Sequence, residues 1–331
     1  AISNTTITEG AASGTTIGTI TVTDATTSDT ADFTIMNAVN ASNGDASARF
    51  TITDTDNTNA TCLLKTVGTF NFNETDDRSF IINIKVQDST GLSYTESFNI
   101  TVTNVNPTVT DATVSVNENV STGTNVHAVA AVNGSADGTS TGLTYAITAG
   151  NTNNDFAIDS STGQITVANS PNFEAVNSYS LTVTATDVGG GVGTGTITVN
   201  IANINEPPVT SNLSFAITSG NAVSQTLTAT DPEGDALQFE IVSNPSNGTL
   251  SLDNATTGAF TYTSAGGVNV AQFTYKAKDP SGSNTFSNTS TVSIQIPVLT
   301  VTITETDDDL SGISVTSGSV VRVGTTGTVS G

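Results

Sequence analysis

An all-β fold built of sandwich modules in tandem is predicted by three observations. Apolar residues recur at every second position, turn residues interrupt them at short intervals, and the whole pattern repeats along the chain. Alternation is plainest in three stretches. Ile17, Ile20 and Val22 stand among threonines; Tyr179, Leu181, Val183 and Ala185 alternate strictly; so do Ile197, Val199 and Ile201. β-Branched residues at period two suit strands with one buried face. The i, i+3, i+4, i+7 stripe of a packed helix is missing throughout.

In the middle third, strands are expected near Val114, Val129, Tyr145, Phe156, Ile165, Leu181 and Ile197. Seven short strands in about a hundred residues is the content of an immunoglobulin-like sandwich. The chain has no Trp and one cysteine, Cys62. Those facts argue against an antibody-type domain and exclude an intrachain disulfide. Beside Leu63 and Leu64, Cys62 reads as a small core residue.

Charge narrows the function. Across 331 residues, 30 Asp and Glu face 7 Lys and Arg, for a formal net charge of −23. So few cations argue against binding nucleic acid or an anionic membrane surface. No run of eighteen apolar residues occurs, so no membrane insertion by a helix is expected. Hydroxyls carry much of the solubility, since Ser and Thr make up about 30% of the chain. The first residue is Ala1, with neither a basic nor an apolar leader after it, and the chain is expected to be a segment of something longer.

Catalytic constellations are lacking. His127 is the single histidine, in a Val/Ala run that reads as a strand, and it has no partner for a Ser-His-Asp or Cys-His arrangement. One His and one Cys cannot build a zinc site. Gly189-Gly190-Gly191-Val192-Gly193 has no Lys after it and reads as a loose hairpin, not a phosphate loop. Aromatics at 5% are sparse for a polysaccharide cleft. The chain is expected not to be an enzyme.

The repeat has a period of about a hundred residues. Glu9 and Glu118 stand early in two successive units, Glu74 and Glu174 stand shortly before the aromatics Phe80 and Tyr179, and Asp88 and Asp187 close the strands that follow. The units end in Asn104-Val105-Asn106-Pro107 and in Asn203-Ile204-Asn205-Glu206-Pro207-Pro208. A third unit carries Asp231-Pro232-Glu233-Gly234-Asp235 and a strand ending at Asp279. Prolines after an apolar strand suit a junction between sandwiches. Acids at strand ends and junctions supply the six to eight oxygens that a hard cation such as Ca²⁺ takes.

These motifs resemble the cadherin repeat in its bacterial form. Phe156-Ala157-Ile158-Asp159-Ser160-Ser161-Thr162-Gly163-Gln164-Ile165 is similar to the family's mid-domain segment, and the third unit resembles the bacterial cadherin-like variant through Asp231-Pro232-Glu233-Gly234-Asp235 and Gly258-Ala259-Phe260-Thr261-Tyr262. The resemblance implies Greek-key sandwiches at 1–105 (divergent), 106–206 and 207–297, with 298–331 the start of a further domain or a donated strand. It also implies Ca²⁺ at the joins. Glu118, Glu174, Asn203, Asn205, Glu206, Asp231, Glu233, Asp235 and Asp279 are the ligand set at the second join, with Asn172 beside them. Glu9, Glu74, Asn104, Asn106, Asp137 and Asp187 form a weaker set at the first, where Asn133 replaces an acid. The implied function is a non-catalytic, calcium-stiffened stalk of a bacterial cell-surface adhesin, outside the cell. Its partners would be other copies or further domains of the same long chain, or a cell-surface or glycan ligand. The alternatives are a filament or surface-layer subunit joined by strand exchange, and a spacer of a secreted enzyme.

Overall fold

A computed structural model describes residues 1–23, 31–54, 61–134, 142–265, 270–281 and 285–297. Asp137 and the segment 298–331 lie outside them. Among the described residues nearly all regular structure is strand; the helical part is three single 3₁₀ turns, Ser47–Arg49, Thr75–Asp77 and Thr152–Asn154. The chain divides into two compact units, Ala1–Asn203 and Ile204–Gly331.

Unit Ala1–Asn203 holds two cores. In the first, one sheet runs Thr6–Thr8, Ser93–Thr103, Ser79–Asp88, Ala31–Asn40, and the other runs Thr16–Thr21, Thr61–Thr66, Phe50–Asp54. Phe50, Phe70 and Phe80 pack edge-on and tilted between them, with ring centroids 5.1–5.7 Å apart. Cys62 is fully buried in this core.

The second core repeats the arrangement: Thr144–Ala149, Ser178–Thr186, Val192–Ala202, Ala112–Asn117 in one sheet, and Asn125–Ala128, Gln164–Val167, Phe156–Ile158 in the other. The alternation seen in sequence sets the facing residues. Tyr179, Leu181, Val183 and Ala185 point inward, as do Ile197, Val199 and Ile201 of the next strand, with Tyr179 opposite Val199 and Leu181 opposite Ile197. The strand expected near Val129 is divided in two. Asn125–Ala128 pairs with Gln164–Val167, whereas Ala131–Val132 pairs with Thr108–Val109, and buried Val129 lies at the crossing. His127, on the first of these pieces, is partly exposed. The Tyr179 hydroxyl donates to the buried carboxylate of Asp155. Burial first, and that carboxylate second, push the tyrosine well above its usual range.

Unit Ile204–Gly331 has the same topology around Phe260, Tyr262, Phe273 and Tyr275. Leu213–Ala216, Ser290–Gln295, Val270–Lys278 and Gln238–Ser243 form one sheet; Ala222–Thr226, Ala259–Thr263 and Thr249–Asn254 form the other. In all three modules an early strand runs parallel to the last one: Thr6–Thr8 along Thr101–Thr103, Ala112–Asn117 along Ile197–Ala202, and Leu213–Ala216 along Val292–Gln295.

Leu181 is fully buried. Leu181→Ala should therefore cost about 2–5 kcal/mol, measured as a lower urea midpoint. Thr194→Ala, on an exposed face of the neighbouring strand, should change stability by less than about 0.5 kcal/mol.

Candidate metal centre

The early glutamates have matching roles in the two modules of Ala1–Asn203. Each follows the short parallel strand and turns inward. Glu118 is buried, and its Oε2 accepts the Phe173 N–H at 2.9 Å. Glu9 is 4% exposed; its Oε1 accepts the Phe72 N–H at 2.9 Å and its Oε2 accepts the Val105 N–H at 3.1 Å. Phe72 is thus the counterpart of Phe173, and the residue in register with Glu174 is Asn73. Glu74 comes one position later and is exposed. Asn73 Oδ1 instead accepts the Gly189 N–H at 3.0 Å.

Around Asp187 the structure brings together much of the first predicted set. Asp187 is 5% exposed. Its Oδ1 accepts the Gly191 N–H at 2.7 Å, and the Asn104 carboxamide donates to both of its oxygens at 3.2 Å. Asn106 is exposed but lies close by: a Cβ on Gly191 would sit 2.9 Å from Asn106 Oδ1 and 2.7 Å from Asp187 Oδ2. The glycine run is therefore a tight hairpin rather than a loose one. Its missing side chains let the strand lie against the linker; a Cβ on Gly193 would fall 1.9 Å from the Pro107 carbonyl oxygen. Asn133 is buried, and neither its Oδ1 nor that of Asn104 accepts a hydrogen bond from the protein.

The second predicted set is divided by the boundary between the compact units. Glu118, exposed Glu174, exposed Asn172 and exposed Asn203 belong to the first unit. In the second, Glu206 and Glu233 come together, the Glu206 N–H donating to Glu233 Oε1 at 3.3 Å. The Asn205 amide donates to the Glu206 carbonyl at 3.3 Å. Asp231 and Asp235 belong to one tight turn, in which the Asp235 N–H donates to Asp231 Oδ1 at 3.2 Å. Buried Asp279 accepts the Ser281 N–H and hydroxyl through Oδ1.

The electrostatics of the second unit are those of crowded acids. Burial pushes the Glu233 carboxyl above its usual 4.5, and the charges of Asp231 and Glu206 add to that, against opposing backbone hydrogen bonds. Asp231 Oδ2 and Glu233 Oε2 are both buried and accept no hydrogen bond from the protein. Buried anionic oxygens without donors are costly unless a cation or water reaches them. A carboxylate-rich group of this kind suits a hard divalent cation, so the donor chemistry fits calcium.

Removing Glu9 should test its structural share. Glu9→Ala strands the Phe72 and Val105 N–H groups, an expected loss of about 2–6 kcal/mol at about 1–3 kcal/mol per unsatisfied group. Thermal or urea unfolding would measure it, and a loss below about 0.5 kcal/mol would contradict the geometry.

Comparison with known proteins fits this architecture. Residues 112–202 match the cadherin domain model, and residues 205–298 match the bacterial cadherin-like domain model. A stretch of 88 residues is 48% identical to human protocadherin Fat 4, covering 27% of this chain and 2% of that protein. Over 139 residues the chain is 35% identical to human cadherin EGF LAG seven-pass G-type receptor 2, covering 40% of this chain and 5% of the relative. The chain thus spans only 2–5% of the length of these curated relatives. Among solved structures, the human desmocollin-1 ectodomain aligns at 18% identity and a TM-score of 0.48, over 90% of this chain and 61% of that one. Mouse cadherin-23 EC22-24 aligns at 18% identity and a TM-score of 0.48, over 89% and 95%. Among the described residues, no helix is long and apolar enough to cross a membrane.

Proposed function

We propose that this chain, with cadherin and bacterial cadherin-like domains in tandem, is a calcium-stiffened segment of an extracellular stalk on a bacterial surface adhesin. Its role is mechanical and non-catalytic. Further domains or other copies of the same long chain are its immediate neighbours. The proposed calcium ligands are Glu118 and Glu174, with Asn203, in one compact unit, and Glu206, Asp231, Glu233, Asp235 and Asp279, with Asn205, in the other.

The observation that carries this reading is the group Glu206, Asp231 and Glu233. Two like charges about 4 Å apart repel by about 1 kcal/mol in bulk water, and by several times more where solvent is partly excluded. The raised Glu233 carboxyl is the mark of that repulsion added to burial. A divalent cation reverses its sign. When bound, it supplies the positive charge that this turn and linker lack, and the chain's own residues orient their oxygens toward it. Calcium sites of extracellular modules have Kd values of about 10⁻⁴–10⁻³ M. At tenfold above Kd, one site adds about 1.4 kcal/mol of stability, enough to order a linker without dominating the stability of a domain.

Two outcomes test the proposal. Calcium titration of the full chain should raise its melting temperature, and Asp231→Asn should weaken the apparent affinity at least tenfold in calorimetry. Identical melting curves with calcium and with a chelator would contradict it. The second test is pH. Because folding raises the Glu233 carboxyl, the folded form binds its proton more tightly than the unfolded chain does, and ion-free stability falls as pH rises from about 4.5 through the raised value. Saturating calcium should abolish that fall, since the ion then favours the charged form; chelated and calcium-loaded unfolding curves across this range would show it.

A further inference from the structure

The first junction, inside Ala1–Asn203, differs in kind from the carboxylate group just described. Several counterpart positions carry no acid, while Asp137, in register with Asp235, lies outside the described residues. Asn73 stands in register with Glu174, Asn133 with Asp231, and Pro107 follows Asn106 where Glu206 follows Asn205. Among the described residues, two carboxylates remain buried there, Glu9 and Asp187. Their oxygens already face donors: Phe72 and Val105 N–H on Glu9, and the Gly191 N–H and the Asn104 carboxamide on Asp187. All four oxygens of this pair thus accept at least one N–H group, whereas Asp231 Oδ2 and Glu233 Oε2 accept none. The backbone is interlocked as well, for a Cβ on Gly134 would lie 1.9 Å from the Val105 carbonyl oxygen, as one on Gly193 would from that of Pro107. The acceptors left over, Oδ1 of Asn104 and of Asn133, are neutral amide oxygens. A single water donor satisfies each.

These residues do not fit calcium. We propose that the first junction is an ion-independent, fixed joint, in which the Asn104 carboxamide and backbone N–H groups of the glycine hairpin do the work a divalent cation does elsewhere in such chains. The neutral amide bridges the linker to Asp187 and adds no further negative charge there. This inference stands independently of calcium binding by Glu206, Asp231 and Glu233.

Hydrogen exchange of the full-length chain, with calcium and with a chelator, tests it. Peptides containing Val105, Gly189 and Gly191 should exchange at rates that agree within twofold in the two conditions. Exchange there at least tenfold faster in chelator would overturn the proposal. Asn104→Asp provides the second arm. It replaces a donor with a carboxylate facing Asp187, so the same peptides should exchange at least tenfold faster in chelator and recover when calcium is added. If Asn104→Asp exchanges like the unsubstituted chain in chelator, the carboxamide does not hold the joint and the proposal fails. Peptides covering 204–235 provide a separate readout: no response to chelator there counts against calcium binding by the acidic group and leaves the first junction untouched.

Discussion

Carboxylates gathered at the ends of sandwich modules must be balanced, and the protein has little cation to do it with. Thirty acids face seven bases, and the ion pairs between side chains among the described residues, Arg49–Asp77 and Lys276–Glu240, include none of the predicted ligand acids. Two solutions are therefore open at a module end. Backbone and carboxamide N–H groups can saturate the oxygens, as around Glu9 and Asp187. Otherwise the oxygens can be left to a divalent ion, as the unpartnered oxygens of Asp231 and Glu233 suggest. The proposed calcium dependence follows from which solution each linker takes.

The sandwich sets where these acids can be. Its early strand runs parallel to its last, and the glutamate just past the early strand comes to rest beside the linker that follows the last strand. That is why Glu9 reaches the Val105 N–H from 96 residues away. The Asp after the penultimate strand sits in a hairpin where the Gly191 N–H points at its carboxylate and the Asn104 carboxamide joins it from the linker, so Asp187 is held in place without an ion. Core packing by the alternating residues thus delivers each acid to a module end, and the local turn decides what it can bind there.

Much of this was legible in the sequence. Period-two alternation places the strands because a pleated strand alternates its faces, and Cys62 next to two leucines reads correctly as core. Glu118 and Glu9 are found by their matching place in the repeat. The position before Phe80 was harder. Counting back from the aromatic leads to Glu74, yet the 3₁₀ turn Thr75–Asp77 makes this segment two residues longer than Phe173–Tyr179, so the hydrogen bond from Phe72 to Glu9 puts Asn73 in that place. The purpose of the glycine run was not legible either. It depends on contact with a linker some 85 residues earlier, and spacing along the chain holds no record of that contact. The buried Asp155–Tyr179 pair is hidden for the same reason.

The difference between the two kinds of module end is most directly tested by anomalous scattering from crystals of the chain grown with ample calcium. The account predicts a peak beside Asp231 and Glu233 and no metal within coordination distance of Asn104 and Asp187. An ion bound by Asn104 and Asp187, or only water around Asp231 and Glu233, would contradict it.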